Sequence, residues 1–260
     1  MKLFGNKNLL SLTLGLCLCL TSCLDDDNQP LPVYSTLGTV TSVNPAIIDT
    51  DMCGEIQPEN PGILSSEKSD SIGQRVLANL YITSDDKDLK RENIKITNLY
   101  KVLTKNANET RFPGTPSPDS FGNSPIQVTG LSISKEHLNV QFNTLGGDQK
   151  IPHRISLLLT EKTELDEDGY LRLDLRHDAN GDVQSIIFWG IASFTLRSIP
   201  EFNDPKCKGV RLYYNSGANP ESVWPARKQP SKSDESAFLR VMETSQEVSN
   251  VHSLLTSQLQ

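Results

Sequence analysis

Short segments rich in Val, Ile, Leu, Tyr and Thr, in which apolar and polar residues nearly alternate, recur along the chain and constrain its fold most strongly. Such alternation is typical of β-strands, because successive side chains of a strand point to opposite faces of a sheet. Turn residues separate many of the segments, as in "TLGGDQKIP", "DEDG" and "ANGD". Several short strands at this spacing indicate an all-β chain, built as an antiparallel sandwich or barrel.

The predicted strands form two sets. The first set contains "VYSTLGTVTSV" (33–43), "QRVLANLYIT" (74–83) and "NIKITNLYKVLTK" (93–105). The second set contains "PIQVTGLSIS" (125–134), "HLNVQFNTL" (137–145), "HRISLLLTE" (153–161), "YLRLDLRHD" (170–178), "VQSIIFWGIASFTLR" (183–197) and "VRLYYN" (210–215). Six Pro and Gly residues between Pro113 and Pro125 interrupt the pattern. The sequence therefore predicts a β-domain over 33–108, a linker over 109–123 and a second β-domain over 124–215.

The remaining residues, 216–260, have a different composition. "WPARKQPSKS" (224–233) is rich in Pro and Lys and is typical of a flexible connection. Residues 233–260 lack Gly and Pro, and their apolar residues have mostly helical spacing after Ser233 or Asp234 as an N-cap. The tail is predicted to be flexible or to contain a short helix.

The first 22 residues have the organisation of a secretory signal. Lys2 and Lys7 form a positive start, and Leu9 to Leu20 form an apolar stretch that is too short to span a bilayer. Leu20-Thr21-Ser22 then precede Cys23, as in the lipobox of bacterial lipoproteins. Cleavage before Cys23 and acylation of this residue are predicted, with residues 23–32 as a tether. Asp25, Asp26 and Asp27 resemble an export signal to the cell surface, although an acidic run of this kind is more often only a solvated tether.

Charge and composition exclude one class of partner. Loss of Lys2 and Lys7 changes the formal net charge from −7 to −9. An acidic chain without a Lys/Arg cluster does not fit nucleic acid, whose binding depends on the neutralisation of phosphates.

Two cysteines remain after the leader and the lipid account for three of the five. Cys53 and Cys207 both lie in turn-like segments, "DMCGEI" and "DPKCKG". An exported chain can keep a disulfide, but a bridge needs the Cα atoms within about 7 Å. Free thiols are the favoured prediction and a Cys53–Cys207 bridge is the alternative.

Taken together, these motifs resemble a known family. The lipobox with its acids, "GQRVLANLYI", "IKITNLYKVLTK", "LSISKEHLNVQF", "LRLDLRHDANGD" and "GIASFTLRSI" are similar to the NigD-like lipoproteins of Bacteroidota. The resemblance covers about residues 20–215 and implies an N-terminal OB-type barrel and a C-terminal β-sandwich. His137 departs from the family pattern, in which an aromatic residue such as Tyr is expected before Leu-Asn. The family supplies no catalytic residues to transfer.

No motif predicts a metal, a cofactor or a catalytic centre. "HDANGD" (177–182) begins like a calcium loop, but Val183 replaces the required Gly and Trp189 the required Glu. A hairpin turn with positive φ at Asn180-Gly181 is the favoured interpretation, and "LDEDGY" (165–170) is interpreted as an Asp-Gly turn with solvated acids. The four histidines lack zinc-site spacing. Neither a Gly-x-Ser-x-Gly elbow nor a Gly-rich phosphate loop is present.

Three aromatic residues are the weak candidates for binding. Tyr81 and Tyr100 lie in strands of the OB-like domain, a fold that often binds oligosaccharides through aromatic residues and loops. Packing across the barrel or between domains is the favoured alternative for both rings. Trp224 lies in a Pro-flanked stretch and is the best candidate for an exposed contact.

The sequence thus favours a non-enzymatic lipoprotein of the outer membrane, on the cell surface or facing the periplasm. Its expected partner is an envelope protein, a peptide or a glycan. The alternatives are an envelope hydrolase and a structural or assembly component of a surface complex.

Overall fold

The computed structural model describes residues 33–82, 93–148, 150–183, 185–228 and 252–253. The predicted leader 1–22, the tether 23–32 with Cys23 and most of the tail after residue 228 lie outside these residues. The described chain is mostly β-structure arranged in three sheets. The predicted all-β fold class is therefore confirmed.

The first sheet contains five strands in the order β3-β2-β1-β4-β5. Their bounds, with the one α-helix of the described residues, are β1 (Val33–Val43), β2 (Ala46–Thr50), β3 (Gly54–Ile56), α1 (Ile63–Ser66), β4 (Arg75–Ile82) and β5 (Ile94–Lys101). All of these strand pairs are antiparallel. One face of the sheet forms a core of buried aliphatic residues, against which Leu64 of α1 packs.

The first sheet does not form the closed barrel that the family resemblance implies. Its edge strands β3 and β5 do not pair in the described chain, and the segment after β3 contacts β5 through an isolated parallel bridge between Pro58 and Ile94. The Asn60 side chain adds two hydrogen bonds to the backbone of Ile96, at 2.8 and 3.0 Å. β3 is only three residues long, so it offers too few backbone groups for a continuous ladder with β5.

Two further sheets pack face to face as a β-sandwich. The inner sheet contains β6 (Leu103–Asn106), β8 (Gln127–Ser134), β9 (His137–Gly146), β12 (Ile186–Thr195) and β15 (His252–Ser253). The outer sheet contains β7 (Asn108–Glu109), β10 (Arg154–Leu159), β11 (Tyr170–Asp178), β13 (Gly209–Tyr214) and β14 (Ser222–Arg227). Two 3-10 helices, Pro118–Phe121 and Pro200–Asn203, lie in the connections.

Alternating residues of the two sheets fill the sandwich core. Leu138, Val140 and Phe142 of β9 meet Leu171, Leu173 and Leu175 of β11 in one buried cluster. The other face of the inner sheet packs on the first sheet, where Trp189 and Ile191 contact Leu37 and Leu77. Phe188 and Trp189 point to opposite faces of β12, and both are buried.

The boundaries of the two β-domains differ from the predicted ones. β6 pairs with β12 and β7 pairs with β10, so residues 103–109 complete both sheets of the sandwich. β14 pairs with β13 along its whole length, so the sandwich continues beyond residue 215. The prediction of a flexible or helical segment is wrong for residues 222–227, which form a strand. The predicted helix over 233–260 lies outside the described residues except for 252–253, which are extended.

Candidate binding cleft and two buried polar networks

A cleft of about 440 Å³ opens on the solvent face of the outer sheet. Its floor comes from outward-facing residues of β11 and β13, and its walls come from Thr110, Pro118, Asn123 and the loops at Thr160–Lys162 and Asn215–Glu221. The outward positions of β11 are polar because Leu171, Leu173 and Leu175 occupy the opposite, core-facing positions. The volume lies within the range of small-molecule pockets in proteins.

Arg172 and Tyr213 form a rigid part of this cleft. The Arg172 guanidinium lies 3.7 Å from the centre of the Tyr213 ring, a distance typical of a cation–π interaction. It also donates to Asp174 at 3.2 Å and to Glu221 at 2.8 Å. Burial lowers the pKa of Arg172, but the hydrogen bonds to Asp174 and Glu221 outweigh burial and raise it. The charge of Arg172 is therefore already balanced by two carboxylates.

Arg176 differs from Arg172 in its hydrogen bonds and ion pairs. It lies on the same face of β11, lines the cleft and is half-buried. Among the described residues it has no hydrogen-bond or ion-pair partner, in contrast to Arg172. Across the strand pair it faces Ser156, whose hydroxyl is buried and also lacks a partner in the described chain. A half-buried guanidinium whose donors are unused can bind a planar anion with two hydrogen bonds.

The remaining lining residues offer hydroxyl, amide and carboxylate groups. The Thr160 hydroxyl donates to Asp174 at 3.1 Å, and the Asn215 amide donates to the backbone oxygen of Asn123 at 2.7 Å. The first bond joins a wall to the floor, and the second joins two walls. Lys162 at the exposed mouth, together with Arg172, lowers the pKa of Glu221; Arg172 has the larger effect.

The aromatic residues predicted from the sequence lie elsewhere. Tyr81 is half-buried in β4, where it pairs with Val33 and Lys95. Tyr100 packs partly buried against the cluster between the first and inner sheets, which is the packing role favoured for it. Trp224 is partly buried in β14 and packs against the sandwich core. The prediction of Trp224 as an exposed contact is wrong, because its strand places the ring on the core-facing side. None of the three lines the cleft.

A buried ion pair joins the first sheet to the inner sheet. Arg75 of β4, which is 1% exposed, binds both carboxylate oxygens of Asp51 at 2.9 and 2.6 Å. It also donates to Asn139 of β9 at 3.0 Å. Ser134 donates to Asp51 at 2.5 Å, and Ser193 donates to Asn139 at 2.7 Å. The hydrogen bonds of this network, including those of Arg75, cross strand or sheet boundaries that sequence spacing does not reveal.

A second buried network links a carboxylate to two histidines at one end of the sandwich. His153 Nε2 lies 3.2 Å from Asp182 Oδ2, and His153 Nδ1 lies 2.9 Å from His177 Nε2. His177 Nδ1 lies 2.9 Å from the backbone oxygen of Pro125. Burial raises the pKa of Asp182, but hydrogen bonds from Gly147 N–H, His153 and Asp148 N–H outweigh burial and lower it. Asp182 is therefore a carboxylate in this network.

Two acceptors fix two of the hydrogen-bond donors in this second network. Asp182 and the Pro125 oxygen only accept, so His153 Nε2 donates to Asp182 and His177 Nδ1 donates to Pro125. Burial lowers the pKa of His177 to about 4. Thr144 contacts His177 at 3.3 Å, but all four side chains are buried and no substrate can reach the hydroxyl.

The two acidic turn motifs behave as turns. Asn180 and Gly181 have φ of 54° and 78°, which confirms the predicted turn, although it connects the outer sheet to the inner sheet and is not a hairpin. Asp166 and Asp168 both bind Arg211. Among the described residues no group of three His, Cys, Asp or Glu side chains is arranged to hold a metal ion. Cys53 and Cys207 are free thiols, and they pack in different cores.

The fold and cleft define the class of this protein: a β-sandwich with a polar cleft on its outer sheet, preceded by a five-stranded antiparallel sheet. Residues 110–223 match the family model of the NigD-like C-terminal β-sandwich domain. The chain thus carries a NigD-like C-terminal β-sandwich domain, and the resemblance seen in the motifs is confirmed for this part of the chain. A comparison with curated proteins finds no match.

Solved structures from Bacteroidales share the fold. A protein of unknown function from Bacteroides vulgatus ATCC 8482 is 21% identical, with a TM-score of 0.59 over 78% of this chain and 94% of the other. A provisionally named lipoprotein from Bacteroides fragilis NCTC 9343 is 12% identical, with a TM-score of 0.53 over 77% and 100% of the two chains. A NigD-like immunity protein from Bacteroides caccae ATCC 43185 is 14% identical, with a TM-score of 0.51 over 75% and 91%.

No helix in the described part of the chain is long and apolar enough to cross a membrane.

The sites that sequence analysis missed share one property. The cleft gathers residues from two strands and three connections between Thr110 and Glu221, and the histidine network joins three separate segments. The alternating polar positions of "YLRLDLRHD" were the only sequence signal for either site, because they mark the outward face of β11.

Proposed function

We propose that this protein is a non-enzymatic lipoprotein, anchored in the outer membrane through Cys23, that binds an envelope glycan in the cleft of its outer sheet. The order of charged start, apolar stretch, small residues and Cys23 supports the anchor. The provisional name of the Bacteroides fragilis neighbour, which has the same fold, agrees with it. Nucleic acid is not a proposed partner, because the chain is acidic.

The observation that carries the proposal is the cleft itself. Its lining combines hydroxyl, amide, carboxylate and guanidinium groups held by hydrogen bonds to one another. Such a surface matches the many hydroxyl groups of a sugar, each of which needs a donor or an acceptor when it is desolvated. A peptide would need apolar pockets for its side chains or a free strand edge, and the cleft lies on the face of a sheet.

Glycan binding is tested with the full-length lipoprotein in detergent on an array of bacterial and host oligosaccharides. Pro220→Trp places a large ring at an exposed position of the cleft wall, so we expect it to abolish binding. Ile72→Trp, at a residue that is 72% exposed in the first half of the chain, is the matched control and should bind normally. If Pro220→Trp still binds glycans, the cleft is not the binding site. If the protein binds only proteins or peptides, its ligand is not a glycan.

The anchor is tested by growth in radiolabelled palmitate. We expect the label in the wild-type protein and in Cys53→Ala, but not in Cys23→Ala. Label that persists in Cys23→Ala would exclude Cys23 as the acylated residue. Protease added to intact cells then distinguishes the two faces of the membrane: cleavage places the protein on the surface, and protection that ends on lysis places it in the periplasm.

A further inference from the structure

We infer that the ligand of the cleft carries a carboxylate and that Arg176 binds it, so that the ligand is a uronate-type acidic oligosaccharide. This inference rests on the proposed function and specifies the ligand of the same cleft. The key observation is the contrast between two arginines on one face of β11. Arg172 has two carboxylate partners, whereas Arg176 has none among the described residues.

The half-buried charge of Arg176 is energetically unfavourable until a partner binds it. The side chain is half-buried, and a buried charge without a partner loses part of its hydration without compensation. The two carboxylates beside Arg176 on β11 are already used, because Asp174 accepts from both Arg172 and Thr160, and Asp178 accepts from Arg154 at 2.8 Å. Among the described residues the donors of Arg176 therefore lack an acceptor, and an anion from outside can satisfy them.

A carboxylate fits this vacancy better than other anions would. The planar guanidinium matches a carboxylate through two parallel hydrogen bonds. Asp174, Glu161 and Glu221 also line the cleft, and their negative charges disfavour a ligand of high charge density such as a phosphate or sulfate. A ring with one carboxylate and several hydroxyl groups meets both conditions, because the hydroxyl groups can donate to these same carboxylates.

The experiment uses matched pairs of probes on the full-length lipoprotein in detergent. Oligosaccharides of galacturonate, glucuronate and N-acetylneuraminate are compared with their methyl esters, which have the same shape without the charge. We expect at least one acid to bind the wild-type protein at least tenfold more tightly than its ester. Arg176→Gln should remove this preference, Arg176→Lys should keep part of it, and Arg227→Gln, at an exposed position outside the cleft lining, should keep all of it.

Two results would overturn the inference. Equal affinity of acid and ester in every pair would show that the carboxylate is not recognised, and an acid preference that survives Arg176→Gln would assign it to another residue. Neither result removes the proposed function if neutral glycans bind and Pro220→Trp still abolishes their binding. The proposed function is rejected by a different result, namely that the wild-type protein binds no glycan on the array.

Discussion

Single residues determine how the two halves of this chain are joined. The Arg75–Asp51 pair lies where the first sheet meets the inner sheet, and both carboxylate oxygens of Asp51 are engaged by one guanidinium. A buried pair of this kind contributes little net stability, because desolvation offsets attraction, but removal of one partner leaves an uncompensated charge. The pair therefore favours one docking geometry over others.

Replacement of Arg75 or Asp51 alone should destabilise the protein much more than replacement of both residues together. We expect Arg75→Met alone to lower the free energy of unfolding by about 3 to 5 kcal/mol, because Asp51 then lacks its counter-charge. The double variant Arg75→Met/Asp51→Leu should lose clearly less than the two single variants together. Urea unfolding of all four proteins measures the coupling energy, and additive losses would contradict this account.

A third residue of this contact, His137, should make stability depend on pH. Burial, and then the charge of Arg75, lower the pKa of His137 to about 4, against the opposing effects of Glu136 and Asp51. Between pH 6.5 and pH 4 the unfolded chain binds a proton that the folded chain does not, so stability falls as the pH falls through this window. The pKa of His177 is also lowered by burial, so this residue changes stability with pH in the same direction.

His137→Phe should reduce this acid sensitivity. From pH 7.5 to pH 5 we expect the wild-type protein to lose about 2 kcal/mol more than the variant, since one unit of pKa corresponds to about 1.4 kcal/mol. Urea midpoints across this range provide the measurement. Parallel pH profiles for the two proteins would mean that His137 keeps the same pKa when the chain unfolds.

At the scale of elements, long alternating segments were predictable and short ones were not. β1 and β11 have the predicted bounds, and β4, β8, β9 and β13 differ by one or two residues at an end. β2, β3 and β7 contain five residues or fewer and carry too little periodicity to be recognised. β14 contains Pro225, which suggests a loop, but Pro is compatible with an edge strand that has no further partner. The cleft was not predictable, because its residues meet only through the pairing of β11 with β13.

The role of β14 in the sandwich can be tested at two adjacent positions. Trp224 faces the core and Val223 is 50% exposed on the opposite face. We expect Trp224→Ala to lower the free energy of unfolding by about 2 kcal/mol, less than for a fully buried Trp. Val223→Ala should change it by less than about 0.5 kcal/mol. Equal effects of the two substitutions would show that β14 does not depend on its core-facing side.

At the scale of the whole molecule, an apolar contact and a polar network join the first sheet to the sandwich. Leu37, Leu77 and Val102 pack against Trp189 and Ile191, and all five are buried. Desolvation of this surface stabilises the joined state roughly in proportion to its apolar area. The two halves should therefore unfold together, and not as separate domains on a linker.

We expect a single transition when the protein is heated in a calorimeter. Leu37→Ser, at a position that is 3% exposed, should lower the transition temperature or split the transition in two, because it weakens the contact between the halves. Tyr34→Ser, at a position that is 39% exposed in the same strand, should leave a single transition. Two transitions in the wild-type protein would show that the halves are thermodynamically independent.

The path of residues 103–109 limits how such a protein can be recombined. This short stretch supplies an edge strand to the inner sheet and then one to the outer sheet, yet it precedes the matched domain at 110–223, whose end also cuts through β14. A fragment inherited within those limits would leave Ala192–Thr195 and Leu158–Leu159 with unpaired backbone groups, and open edges of this kind invite aggregation. Recombination between relatives is thus expected to succeed only at crossover points ahead of Leu103 or after Arg227.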